Sequence, residues 1–246
     1  MEHREYESLA NRETFYFWHV GRRELLAELL KKYLPEARPR SILDIGCGTG
    51  GDMLLLAPLG NVIGLDSSAE ALRLSESKGF HLLKQGSAEA LPLEDNSIDL
   101  VVALDVLEHI PNDEKATQEV LRVLRKGGIF LVTVPAYQWL WSQHDIALHH
   151  QRRYWKPDLC RMLRSRGFTL RYSSYFVVLG MCMNGLRKLI DRVRGSALKS
   201  AHVYDVVYPP FMNFLLLSVL RVERLIMRFS PIPFGSSIVV VAQKPL

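Results

Sequence analysis

Apolar residues fall into two rhythms along this chain. Short, nearly unbroken runs read as buried strands: one that ends at Asp44, then Asn61–Asp66, a run from Ile98, Ile129–Pro135, Gly167–Ser173 and Ser237–Gln243. Segments with helical spacing separate them. One is amphipathic and ends at Tyr33, and another runs from Leu121 to a Gly127-Gly128 stop. Two more lie late in the chain, at Tyr175–Arg194 and Val206–Phe229, and Pro209-Pro210 is a start signal for the second. In it Arg221, Arg224 and Arg228 stand at i, i+3 and i+7, so they share one helix face. The alternation predicts an α/β fold around one large core, which 246 residues at 48% hydrophobic content can bury.

The junction after the first strand is chemically the most specific stretch. Ile42-Leu-Asp-Ile-Gly-Cys-Gly-Thr-Gly50 is a strand followed by a glycine turn, with a helix starting near Gly51-Asp52. Glycine permits positive φ and lets a ligand approach the backbone closely. The helix start then offers free N–H groups to a polar or anionic ligand. A phosphate loop needs Gly-Lys-Ser/Thr, which is absent, and a nicotinamide site prefers GxGxxG, whereas Thr49-Gly50-Gly51 follow Gly48 here. The second strand ends on Asp66, about twenty residues after the turn, where a carboxylate can accept from both hydroxyls of a ribose.

In this order, ILDIGCGTG, the strand to Asp66, Gly86-Ser-Ala-Glu-Ala-Leu-Pro92, Ile98–Ile110 (IDLVVALDVLEHI) and Leu121–Pro135 resemble the motifs of class I S-adenosylmethionine-dependent methyltransferases of the type 11 and ubiquinone-pathway kind. The match spans about residues 41–135. It implies a Rossmann-like seven-stranded sheet, mostly parallel with the last strand antiparallel, with helices on both faces and S-adenosyl-L-methionine as cofactor. By resemblance, Asp44, Gly46, Cys47, Gly48 and Gly50 form the cofactor turn, and Asp66 and Ser67 meet the ribose. Ser87, Ala88 and Glu89 lie at the adenine, and Leu104 and Asp105 flank the cofactor at the fourth strand's end. Many relatives have Asp where Ser87 stands; Glu89 or a backbone carbonyl is then the alternative partner for the adenine amine. Arg22 or Arg23 corresponds to an arginine that contacts the cofactor's carboxylate in ubiquinone-pathway members, and spacing does not choose between them. The organisation expected is a single methyltransferase domain. It has a helical cap over 1–36, a core over 37–175 and 235–246, and an apolar, basic helical insertion over 176–234.

Charge changes the picture beyond the core. Residues 1–150 carry fifteen Lys+Arg against twenty-two Asp+Glu, a net of −7, and residues 151–246 carry sixteen against four, a net of +12. Such a split implies an anionic partner: membrane headgroups, a phosphorylated substrate or nucleic acid. The insertion helices lack the roughly twenty uninterrupted apolar residues of a membrane span. They suit a helix pair lying in the interface, apolar face down with arginines at headgroup level. The alternative is an intramolecular lid. Three scattered cysteines without CxxC suggest neither disulfides nor a zinc ribbon, and the charged lead MEHREYESLANRE lacks an apolar signal core. A cytoplasmic enzyme, peripheral at the inner face of the membrane, is expected.

Two aromatic clusters are candidates for the acceptor side. Tyr16 and Trp18 precede Arg22, in a run that also holds Phe15 and Phe17. After the fifth strand, Trp141, His144, Asp145, His149, His150, Arg152, Arg153 and Tyr154 occupy the place where strand-end loops of open α/β sheets meet ligands. His109, just past the fourth strand, is the first candidate for a general base, with His149 and His144 as alternates. Arg152 and Arg153 are candidates to grip an anionic group. A metal at His144, Asp145 and His149 is a minor alternative, and none is expected. The function expected is methyl transfer, to oxygen before carbon or nitrogen, on a small-molecule, hydrophobic or lipid-linked acceptor. The rivals are a soluble acceptor, an RNA methyltransferase and a non-catalytic cofactor-binding subunit. Nucleic acid is disfavoured because the basic residues sit in apolar helices, no RNA-binding module is recognised and the Asn/Asp-Pro-Pro-Tyr/Phe motif is missing.

Overall fold

A computed structural model describes residues 13–34, 40–194 and 208–246, with no side chains described for 191–194. The charged lead at 1–12 and the segment 195–207, which includes the start of the last helical run, lie outside the described residues. The apolar runs become β1 (Arg40–Ile45), β2 (Gly60–Asp66), β4 (Ile98–Leu104), β5 (Leu124–Pro135), β6 (Thr169–Phe176) and β7 (Ser237–Gln243), joined by a short β3 (Leu83–Gln85). They form one sheet in the order β3-β2-β1-β4-β5-β7-β6. β7 pairs antiparallel with both β5 and β6, and all other pairs are parallel. Strand order reverses between β1 and β4, where open α/β sheets bind ligands beyond the carboxyl ends of the strands.

Helices cover both faces, which is why the central strands are apolar throughout rather than alternating. In chain order they are α1 (Phe17–Tyr33), α2 (Met53–Leu56), α3 (Ala69–Ser77), α4 (Asp113–Val123), α5 (Gln143–Ala147), α6 (Lys156–Ser165), α7 (Val178–Arg194) and α8 (Pro210–Phe229). Leu26 and Leu30 of α1, Met53 and Leu56 of α2 and Met227 of α8 pack with Ile42, Leu100 and Ile129 on one face. Ala116 and Val120 of α4 and Leu159 and Leu163 of α6 pack with Leu43, Val101 and Phe130 on the other.

Two expectations about elements are corrected. Gly127-Gly128 is not a stop between helix and strand: α4 ends at Val123 and β5 runs straight through the pair. The backbone there pairs with the chain beyond β7, Gly127 N donating to Lys244 O and Lys244 N to Gly128 O, and this holds Gly127 at φ +77° inside a strand. The arginine face of α8 is the second correction. It lies along α1, where Arg221 and Arg224 pair with Glu24 and Arg224 and Arg228 pair with Glu28, while Arg221 and Arg228 stay exposed at the surface. Leu220 lies so close over Gly21 that a Cβ there would come within 2.6 Å of its Cδ1. Asn213 of α8 also caps the start of α1, accepting from Phe17 N at 2.8 Å. Large apolar side chains of α8 are consequently left outside: Phe211 is 75% exposed, Phe214 63% and Phe229 91%. On α7, Met183, Leu186 and Leu189 are exposed in the same way.

Candidate active site

β1 ends in the glycine turn, and the turn tolerates little else. Gly46 and Gly48 sit at φ +68° and +54°, and a Cβ on Gly46 would collide with Val106. Asp66, at the end of β2, accepts from Gly48 N at 2.9 Å and Ser68 N at 2.8 Å, so the second acid is fixed beside the turn. Cys47 is buried, and burial together with Asp44 and Asp66 pushes its thiol well above the ordinary range. It packs against its neighbours and is no nucleophile.

Burial distinguishes the two arginines of α1. Arg22 is buried and bridges Asp52 and Asp105 at 2.5 Å each, whereas Arg23 binds the backbone carbonyl of Glu13 and reaches Asp52 only at 4.0 Å. Three buried polar atoms around this bridge have no hydrogen-bond partner among the described residues: Arg22 Nε, Asp44 Oδ2 and Asp52 Oδ1. Burial, with Asp52 and Asp66 nearby, raises the Asp44 carboxyl well above its usual range. A donor and two carboxylate oxygens left without partners suit a ligand with both a carboxylate and an ammonium, the amino-acid end of the cofactor that the motifs imply. Asp105 is held in place by Arg22 and by Thr133 Oγ1 at 3.1 Å, at the unusual φ of +57°.

The remaining cofactor candidates line the sheet's edge in varied states. Leu104 and Ala88 are buried, and Ser67 and Ser87 are exposed. Ser87 Oγ accepts from Glu89 N, and the Glu89 carboxylate accepts from Asn112 N at 3.1 Å. One Glu89 oxygen is thus committed to the loop after β4.

The loop after β5 is stapled onto the turn after β4. Gln151 N donates to Glu108 O, Gln151 Nε2 to His109 O, and Tyr154 Oη to Leu107 O and Asp113. His109 and His150 meet edge to face with centroids 4.7 Å apart, and His144 lies 6.3 Å from His150. His149 is exposed, at φ +55°. Burial, reinforced by His150, lowers His109 to a pKa of about 4; burial lowers His144 to about 4 as well. Both are therefore neutral near pH 7 and hold a proton less readily than an exposed imidazole. Arg152 and Arg153 are already engaged, with Asp113 and Asp145 respectively, so the expected anion clamp is closed on the chain's own carboxylates. Tyr154 is buried and ties the loop to the turn rather than walling a cavity. Trp18 stacks on Phe176 with Arg22 beneath its ring, and Tyr16 stacks on Tyr208. Trp141 takes a hydrogen bond from Lys188 of α7 on its carbonyl.

Sequence reasoning misses three partners. Asp52 was read only as a helix start, though an acid directly after a glycine turn is the natural counter-charge for an upstream arginine. Glu13 lies over the turn, taking hydrogen bonds from Thr49 and Lys78. No local pattern signals it, because both contacts are distant in sequence. Thr133 lies inside an apolar run, which hides it as a polar group. Glu108, which the sequence offers with Asp105 as a residue to orient the cofactor amine or the histidine, is buried just before His109 with no hydrogen-bond partner for its carboxylate among the described residues.

Comparison with known proteins agrees with this geometry. Residues 43–132 match the family described as methyltransferase domain. The protein named probable S-adenosylmethionine-dependent methyltransferase of Mycolicibacterium smegmatis is 31% identical over 189 residues, covering 75% of this chain and 72% of that protein. The ubiquinone biosynthesis O-methyltransferase of Cupriavidus pinatubonensis is 37% identical over 180 residues, covering 64% and 69%. In fold, the chain is similar to a solved methyltransferase of Thermotoga maritima, at a TM-score of 0.60 and 19% identity over 98% of this chain and 95% of the other. With the seven-stranded sheet and the turn it positions, these similarities show that the chain belongs to the S-adenosylmethionine-dependent methyltransferases and uses S-adenosylmethionine as its methyl donor.

Proposed function

We propose that the enzyme methylates an oxygen of a hydrophobic or lipid-linked acceptor at the surface of a membrane, on its cytoplasmic face. The observation that carries this reading is the outward apolar surface of α7 and α8, with Met183, Leu186, Leu189, Phe211, Phe214 and Phe229 all more than half exposed. Contiguous exposed apolar side chains of this size mark an interaction surface. No described helix is long and apolar enough to cross a membrane, so the surface is suited to lying in the interface. The relative from the ubiquinone pathway is named an O-methyltransferase, which supports oxygen as the target.

The cofactor supplies a methyl group on a sulfonium, already activated for displacement. What the chain adds is position. Arg22, Asp44 and Asp52 hold the amino-acid end, Asp66 the ribose, and Asp105 the Arg22 bridge. Glu89 or its backbone neighbours meet the adenine. His109, neutral and partly buried beside the end of β4, is placed to take the acceptor's hydroxyl proton. Tyr16, Trp18 and Trp141 border the approach.

A second reading has its own observation. α7 lies over the loop after β5, with Gly185 facing the Trp139 ring, which a Cβ there would meet at 3.6 Å, and Lys188 bound to Trp141 O, as a lid over a soluble acceptor would. Co-sedimentation with liposomes separates the two. The membrane reading expects binding that survives added salt, because Arg221, Arg224 and Arg228 are spent on α1, and that is lost in F211S/F214S/F229S. No binding to anionic or neutral vesicles would leave α7 and α8 as a lid.

A further inference from the structure

Glu108 stands out among the polar groups the fold buries. It is 1% exposed, and neither carboxylate oxygen has a hydrogen-bond partner among the described residues. A buried, unsatisfied carboxylate is costly to keep, so its environment implies something that completes it. Its neighbours are two imidazoles. One ligand-capable atom each from Glu108, His109 and His150 lie within 4.8 Å of one another. His150 is oriented for this role: its Nδ1 faces Asp145 Oδ1 at 2.9 Å, which leaves Nε2 free. Asp145 is in turn gripped by Arg153 Nε at 2.7 Å and Nη2 at 3.0 Å, and by Ser142 N at 2.8 Å. A carboxylate behind a histidine is the outer-shell arrangement that fixes ring and tautomer in metal sites. The Gln151 bonds to Glu108 O and His109 O hold the two ligand segments at a fixed offset.

We propose that Glu108, His109 and His150 form a binding site for a divalent transition cation of the zinc type, with Asp145 and Arg153 as its supporting shell. Two nitrogens and one carboxylate suit zinc and its first-row neighbours, whereas magnesium and calcium prefer all-oxygen sites. The ligand atoms, all within 4.8 Å of one another, would have to come to about 3.3 Å, the edge of a tetrahedral site with bonds of about 2.0 Å. The residues differ from the His144, Asp145 and His149 set suggested by sequence spacing. Asp145 is consumed by Arg153 and His150, and His149 is exposed. Resting on the O-methylation reading, the cation would hold the acceptor oxygen at an open position and lower its pKa, so that the hydroxyl proton leaves to solvent and His109 serves as a ligand in place of a base.

The test is calorimetric titration of the metal-stripped full chain with zinc chloride, alongside E108Q, H150A, D145N and the surface control H81Q. One zinc per chain is expected. Affinity should fall at least about tenfold in E108Q and H150A, fall about tenfold or more in D145N, and stay unchanged in H81Q. Zinc should also raise the unfolding midpoint of the wild type but not of E108Q or H150A. Should those variants fail to fold, cobalt(II) on the wild type gives a second readout, in the visible d–d bands of a low-symmetry nitrogen and oxygen site. No saturable 1:1 binding by the wild type, equal affinity across E108Q, H150A and wild type, or absence of the cobalt bands overturns the proposal. Zinc binding without lipid methylation would leave this site standing and remove the acceptor reading. Lipid methylation by a chain that binds no zinc would do the reverse.

Discussion

Arg22 shows how a single buried position sorts alternatives that sequence leaves level. Arg22 and Arg23 are adjacent and chemically identical, and only the packing of α1 against the sheet places one guanidinium between Asp52 and Asp105. The two bonds come from two separate nitrogens of the planar fork, a span that the single nitrogen of an ammonium does not offer. Arg22→Lys is therefore expected to weaken S-adenosylhomocysteine binding at least about tenfold by calorimetry, and Arg23→Lys to change it less than about threefold. His144 gives a second prediction at this scale. Burial lowers its folded-state pKa to about 4, against 6.5 when exposed. Between those values the unfolded chain binds a proton that the folded chain refuses, so this group lowers stability as pH falls from about 6.5 towards 4. Asp44 and Glu108, raised by burial, act in the opposite direction, so the clean quantity is a difference. In urea unfolding, wild type should lose more stability than His144→Gln between pH 7 and pH 5; an equal loss would show that His144 titrates normally in the fold. The glycine turn, Asp44 and Asp66 were legible in the sequence because their chemistry is local. Glu13 and Asp52 were not, because each acquires its meaning from a partner that only the fold creates.

At the level of elements, α7 and α8 hold each other through one acid. Glu223 of α8 is 7% exposed and accepts from Val177 N at 2.7 Å and Val178 N at 2.9 Å, satisfying free donors at the start of α7. The chain turns there at Val177 with φ +62°, a conformation a β-branched residue adopts only when its surroundings impose it. Glu223→Ala would leave two donors unpaired, and a loss of about 1–3 kcal/mol is expected from denaturant midpoints. A change within error would mean that water replaces the carboxylate. Periodicity identifies both helices, and the family resemblance implies the antiparallel last strand across the insertion. It could not say which face of α8 turns inward: an amphipathic helix offers two faces, and the carboxylates that choose the arginine face, Glu24 and Glu28, lie some two hundred residues away.

Across the whole molecule, the charge split that suggested an anionic partner is in large part complementarity within the chain. Carboxylates before residue 150 meet arginines after it: Asp113 with Arg152, Asp145 with Arg153, Glu114 with Arg166, and Glu24 and Glu28 with the α8 arginines. These pairs fasten the loop after β5, α6 and α8 to the earlier part of the fold. The described part of the insertion also presents large apolar side chains outward, Phe211, Phe214 and Phe229 among them, and the acceptor proposed is apolar for that reason. The most direct test is transfer of labelled methyl from S-adenosylmethionine by the purified enzyme into paired lipid and aqueous extracts of cells. The account predicts label in the lipid fraction, on an ether or ester oxygen, dependent on Arg22 and abolished without enzyme. Label confined to the aqueous fraction would contradict it.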